Sequence, residues 1–124
     1  MEHLNLLTHE IIGCAMKVHQ QSGPGLLENT YEVCLEYELI HKGFKVERQK
    51  TLPVVYNSIK LDAGYQIDLL VENEIILELK AGDELASIHE AQLLTYLKLA
   101  DKKLGLLINF NVKLLKDGIK RMVR

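Results

Sequence analysis

Three side chains interrupt apolar runs that would otherwise read as buried strands. The stretch Tyr65–Lys80 is YQIDLLVENEIILELK, where Asp68 breaks the first run and Glu78 and Lys80 break the second. Side chains of an extended strand alternate between faces, so Glu78 and Lys80 share one face and Leu79 takes the other. If the two runs form a hairpin, Asp68 and Glu78 can meet across it with the lysine beside them. Hard oxygen ligands, open positions for water and phosphate, and a nearby cation are what a divalent cation site for phosphodiester hydrolysis requires.

Parity tests this arrangement. A two-residue turn at Glu72-Asn73 puts Asp68 opposite Leu77 and away from Glu78. An odd loop, such as Glu72–Glu74, puts both acids on one face, because a one-residue slip exchanges faces. Asn73 tolerates the left-handed conformation of a three-residue hairpin. The chain therefore predicts an odd loop or a bulge, and carboxylates on opposite faces would exclude a metal site.

Positioning elements follow from periodicity. Leu4, Leu7, Ile11, Cys14 and Val18 predict an amphipathic first helix. Its histidines, His3, His9 and His19, have no ligand spacing and are expected at the surface. The run Gln21–Gly25 ends it. A second helix is expected from about Leu26 to Lys42, with Tyr31, Leu35 and Leu39 on one stripe. Glu28 falls on that stripe, and its residue pattern leaves two readings open: a buried acid needing a partner, or a first-turn acid favoured by the helix dipole. Residues 44–56 read as one strand, with Pro53 implying an edge or bulge, followed by a turn at Asn57-Ser58 and a break at Asp62-Ala63-Gly64. A third helix, from about Ser87 to Leu99, is expected to bury Ile88, Ala91, Leu94 and Leu97 or Lys98, with His89, Gln92 and Tyr96 alongside. Residues 104–110 read as a central strand and Ile119–Arg124 as a last, exposed one.

The 124 residues, 48% hydrophobic and 26% charged, suit one globular domain spanning 1–124. No apolar run approaches the ~20 residues of a membrane span, and the acidic N-terminal stretch lacks a signal peptide's basic region, so the expected location is cytoplasmic. Cys14 and Cys34 read as free thiols. A net charge of −2 argues against non-specific nucleic-acid binding. Two basic clusters soften this: Lys42, Lys45, Arg48 and Lys50, and Lys113, Lys116, Lys120, Arg121 and Arg124. No aromatic platform announces base recognition.

Gly25, Glu28 and Tyr31 together match the motif of the GxxExxY protein family. Asp68, Glu78 and Lys80 resemble the core of the PD-(D/E)XK nuclease superfamily, and Gln92-x-x-x-Tyr96 resembles the glutamine–tyrosine motif of its exonuclease-like branch. Asn109-Phe110-Asn111 and Gly118–Arg121 are similar to the family's C-terminal pattern. Ile67 stands where the superfamily often has proline. The resemblance covers nearly the whole chain and implies an α/β (α+β) fold of the restriction-endonuclease type: an αβββαβ core with a mixed sheet flanked by helices. It also implies a Mg²⁺- or Mn²⁺-dependent nuclease, with DNA the favoured substrate. Asp68, Glu78, the Leu79 carbonyl and Glu28 would hold the metal, Lys80 would act on water or phosphate, Gln92 would position Lys80 or phosphate, and Tyr96 would contact substrate. Rival readings are a catalytically weak nucleic-acid-binding module, a scaffold or regulatory subunit, and a hydrolase of small phosphate esters. A homo-oligomer, or a partner protein that supplies specificity, is compatible with so short a chain.

Overall fold

The computed structural model describes residues 1–62 and 64–124; of the break expected at Asp62-Ala63-Gly64, Ala63 lies outside the described residues. Two helices, α1 (Glu2–Ser22) and α2 (Glu28–His41), precede the strands. Five strands form one sheet in the order β1 (Val46–Thr51), β4 (Gln66–Val71), β5 (Ile75–Lys80), β6 (Leu104–Asn109), β7 (Ile119–Val123). Among the described residues only the β5–β6 pair is parallel, and α3 (Ser87–Ala100) makes the crossover between them that a parallel pair requires. A mixed sheet flanked by three helices results, as the resemblance implied.

The apolar runs divide between two layers. Leu69, Leu77, Leu79, Leu106 and Ile108 pack against Ile11, Val18, Leu35 and Leu39 of α1 and α2. Ile76 and Leu107, on the other face, pack against Leu93, Tyr96 and Leu97 of α3. Strand β6 is buried along its whole length, as its unbroken apolar run predicts, whereas the edge strand β7 is largely exposed.

Four expectations are corrected. The strand expected over residues 44–56 is two: Leu52-Pro53 separates β1 from β2 (Val54–Tyr56), which pairs with β3 (Ile59–Leu61) in a separate hairpin outside the main sheet. Proline removes a ladder donor, so the chain leaves the sheet there. The core face of α3 is Leu93, Tyr96 and Leu97; Ile88 is 68% exposed, and Ala91 and Leu94 are exposed too. His19 is buried and its Nε2 lies 2.8 Å from the Val112 carbonyl oxygen. The basic clusters are paired in good part, although Lys45, Lys113 and Lys116 are exposed and form no ion pair among the described residues. Lys42 pairs with Glu10, Arg48 with Glu32, Lys50 with Glu47, Lys120 with Glu90 and Arg124 with Asp101, and Arg121 bonds Asn5. Cys14 and Cys34 are free thiols. Among the described residues no helix is long and apolar enough to cross a membrane.

Candidate nuclease site

Strands β4 and β5 pair as Val71↔Ile75, Leu70↔Ile76 and Leu69↔Leu77 across the three-residue loop Glu72–Glu74. That register puts Asp68 opposite Glu78, and there the backbone ladder stops. The Asp68 N–H donates to Glu78 Oε2 at 2.9 Å, and the Leu79 N–H donates to Asp68 Oδ2 at 2.8 Å. Each acid thus accepts an amide that the ladder gives up, and the two strands part into a fork. Beyond it Ile67 packs in the α3 layer together with Leu70, three residues away, so strict alternation also fails here. Glu78 is only 4% exposed, and burial followed by the neighbouring Asp68 pushes its carboxyl up to about 8. Lys80, half-buried at the end of β5, takes part in no ion pair among the described residues, so the simple alternative of a Glu78–Lys80 salt bridge is not what forms. The Lys80 carbonyl accepts the Phe110 N–H at 2.9 Å on the side facing away from β4. Successive carbonyls alternate, so that of Leu79 points back toward β4 and Asp68.

Helix α2 brings a further pair of acids. Gly25, at φ +98°, takes a turn that favours glycine. The Tyr31 hydroxyl donates to the Gly23 carbonyl at 2.6 Å and accepts the Leu26 N–H at 3.1 Å, while its ring stacks on Phe110 with centroids 4.5 Å apart. Glycine and tyrosine of this motif therefore fix the entry into α2 and place Glu28 in its first turn. Glu28 is exposed as a residue, yet partial cover raises its pKa, opposed by Lys80, reinforced by Asp68 and opposed by His89. Glu32, one turn on, is the buried acid of the helix at 4% exposure, with a pKa raised first by burial. Arg48 Nε donates to its Oε2 at 2.7 Å and Gln49 Nε2 to its Oε1 at 2.6 Å.

Behind the fork, α3 supplies Tyr96, whose ring meets Tyr65 edge to face at 6.3 Å. Burial raises the Tyr96 hydroxyl pKa, and Glu78 and then Asp68 raise it further. Gln92 is exposed and makes no hydrogen bond to Lys80 among the described residues; it lines a groove of about 460 Å³ with Val54, Tyr65, Ile88, Thr95 and Tyr96. This aromatic pair, with Tyr96 buried, packs edge to face and offers no open stacking platform. The C-terminal pattern braces the site from outside. Nδ2 of Asn109 and Nδ2 of Asn111 both donate to the Gly82 carbonyl, holding the loop after Lys80. A Cβ at Gly118 would lie 2.2 Å from the Asn109 carbonyl oxygen, so glycine lets that chain pass.

Residues 5–122 match the family model described as the PD-(D/E)XK nuclease superfamily. The chain belongs to that superfamily. No curated protein and no solved structure matches it. Membership points to nuclease chemistry on nucleic acid, and PD-(D/E)XK nucleases generally use divalent metal ions. Among the described residues no three His, Cys, Asp or Glu side chains converge into a ready-made metal cluster. The donor chemistry nonetheless fits a hard cation: two adjacent carboxylates, one of them buried and raised in pKa by the other, with no ion pair to either among the described residues. Backbone carbonyl, water and substrate oxygens would complete such a sphere. Sequence reasoning missed Glu32 and Gln49. Glu32 had a signal, lying four residues from Glu28 on the side of Leu35 and Leu39; Gln49 had none.

Proposed function

We propose that the protein is a Mg²⁺- or Mn²⁺-dependent nuclease that hydrolyses phosphodiester bonds, with DNA the favoured substrate. The observation that carries this reading is the fork, where Asp68 and Glu78 face each other in place of a backbone ladder with unpaired Lys80 two residues on. Asp68, Glu78 and the Leu79 carbonyl would hold the metal, and Glu28 is within electrostatic reach to join directly or through water. A bound divalent cation supplies charge that polarises a phosphate and acidifies a water. Lys80, in no ion pair among the described residues, orients the attacking water or stabilises charge developing on phosphate. Tyr96, buried in the α3 layer within electrostatic reach of the acids, would keep water from one side, while Gln92 lines the groove where a nucleotide flanking the scissile phosphate would lie. Two free thiols suit a reducing, cytoplasmic setting.

A second reading, a catalytically weak binding or scaffold subunit, is favoured by the hairpin β2–β3. It exposes Val55, Tyr56, Ile59 and Leu61, an apolar surface on which a partner or another copy could dock.

Cleavage of single- and double-stranded DNA and RNA with Mg²⁺ or Mn²⁺ separates the two. Wild-type protein is expected to cleave, and Glu78→Ala to lose at least roughly a hundredfold, beyond the 10- to 100-fold typical of supporting residues. Equal cleavage by both proteins, or absence of both cleavage and metal binding, overturns the nuclease reading.

A further inference from the structure

The geometry points to Gln49 as a positioning residue that holds the Asp68 carboxylate in its working orientation and couples it to Glu32. This inference rests on the metal-site reading of Asp68 and adds a residue to it. Gln49 Nε2 donates to Glu32 Oε1 at 2.6 Å and to Asp68 Oδ1 at 3.3 Å. Of the two ends of an amide only the NH₂ can face two carboxylates, so the orientation of the side chain is dictated by its partners. Asp68 is consequently gripped at both oxygens, Oδ1 by Gln49 and Oδ2 by the Leu79 N–H. Glu32 is fixed in turn by Arg48, which also reaches Asn29 Oδ1 at 2.8 Å. A chain of hydrogen bonds thus runs from α2 through β1 to the fork.

The backbone supports the assignment independently. Gln49 has φ +52° in the middle of β1, in the left-handed region that costs a residue with a Cβ about 1–2 kcal/mol. Its neighbours pair regularly with β4, Arg48 with Leu69 and Lys50 with Ile67, while Gln49 and Asp68 between them do not pair. The register is the same on both sides, so no residue has been inserted that would require the distortion. A local conformational cost beside an interrupted ladder is characteristic of positions that serve a site. What the distortion accompanies here is the reach of one amide to two acids.

The test compares Mn²⁺ affinity of the substrate-free protein by calorimetry, thermal unfolding, and kcat and KM for cleavage. Gln49→Asn suits a left-handed backbone at least as well as glutamine but is one methylene shorter, and Gln49→Gly removes the side chain and the backbone cost together. Both are expected to bind Mn²⁺ roughly tenfold more weakly, as loss of an outer partner of a metal ligand does. kcat falls with them and KM for nucleic acid stays near wild type, while the unfolding midpoint moves by the balance between the backbone cost released and the partner lost to buried Glu32. Wild-type Mn²⁺ affinity and kcat in both variants overturn the inference and leave the nuclease reading standing, whether or not the midpoint moves. A wild-type protein that neither binds Mn²⁺ nor cleaves takes down both.

Discussion

The two ends of the β4–β5 hairpin are made from the same two strands and behave oppositely. At the turn, Leu69, Leu70 and Val71 pair in register with Leu77, Ile76 and Ile75, and all six are buried among apolar neighbours. At the open end, one register step further, the ladder is replaced by amide-to-carboxylate bonds between Asp68, Glu78 and Leu79. The turn end is what an ordinary hairpin does to satisfy its backbone. The fork gives up that economy to bring two acids together in a buried place, where one raises the pKa of the other. One end of the hairpin thus serves stability and the other bears a cost, and the boundary between them lies between positions 77 and 78.

Substitutions on either side of that boundary should separate the two roles. Leu77 is fully buried in the layer under α1 and α2, so Leu77→Ala should destabilise by about 2–5 kcal/mol. Metal affinity of the molecules that remain folded should be unchanged. Its neighbour Glu78→Gln removes the proton uptake that folding demands of this acid, and should leave the unfolding midpoint at neutral pH equal or higher while metal binding is lost. Denaturant unfolding with a parallel Mn²⁺ titration checks both. A Glu78→Gln protein less stable than Leu77→Ala would erase the distinction.

The second expected effect is smaller and depends on pH. Glu78 titrates near 4.5 in an unfolded chain and near 8 in the folded metal-free protein. The folded state therefore holds this proton more tightly. The stability it contributes is fully present below about pH 4.5 and is lost as pH rises through about 8. Metal-free protein should lose up to ~1.4 kcal/mol per pH unit across this window and level off above it. Glu28 and Glu32 are raised as well and add slope of the same sign, so Glu78→Gln should flatten the curve without making it level. Urea melts of the metal-free protein from pH 5 to 9 give the slope; a stability that rises with pH in this window would contradict the fork's electrostatics.

How much of this was legible depends on whether the signal is local. Asp68, Glu78 and Lys80 stand out because charge inside an apolar run is costly, and hairpin parity then predicts the odd loop that is found at Glu72–Glu74. The helices follow from periodicity and the buried strand β6 from its unbroken apolar run. The phase of α3 was misread because Ile88 and Leu94 are as apolar as Leu93 and Leu97; the face that is buried is set by Ile67, Leu70, Ile76 and Leu107, which lie in other segments. Arg48 looked like one charge of a basic cluster, yet it is bound to Glu32, sixteen residues away. Gln49 carries no pattern at all, since its position depends on a backbone angle and on two partners brought together only by folding.

The smallest predicted effect makes the contrast sharpest, because the same change is made at both ends. Asn73 in the turn has φ +56° and Gln49 beside the fork has φ +52°. Replacing either by glycine releases a comparable backbone cost. Among the described residues the Asn73 side chain has only a 3.4 Å hydrogen bond from Lys102 to lose, so Asn73→Gly should shift stability by no more than about 1 kcal/mol in either direction. It should leave Mn²⁺ affinity and cleavage as they are. Gln49→Gly, with the same release, should cost the proposed metal site its grip on Asp68. Equal Mn²⁺ affinities in the two glycine variants would mean that the left-handed turn at Gln49 is only another way of bending a strand. Unequal affinities with similar unfolding midpoints would mean that the two angles, alike in energy, differ in what they are for: one closes a hairpin and the other aims a donor.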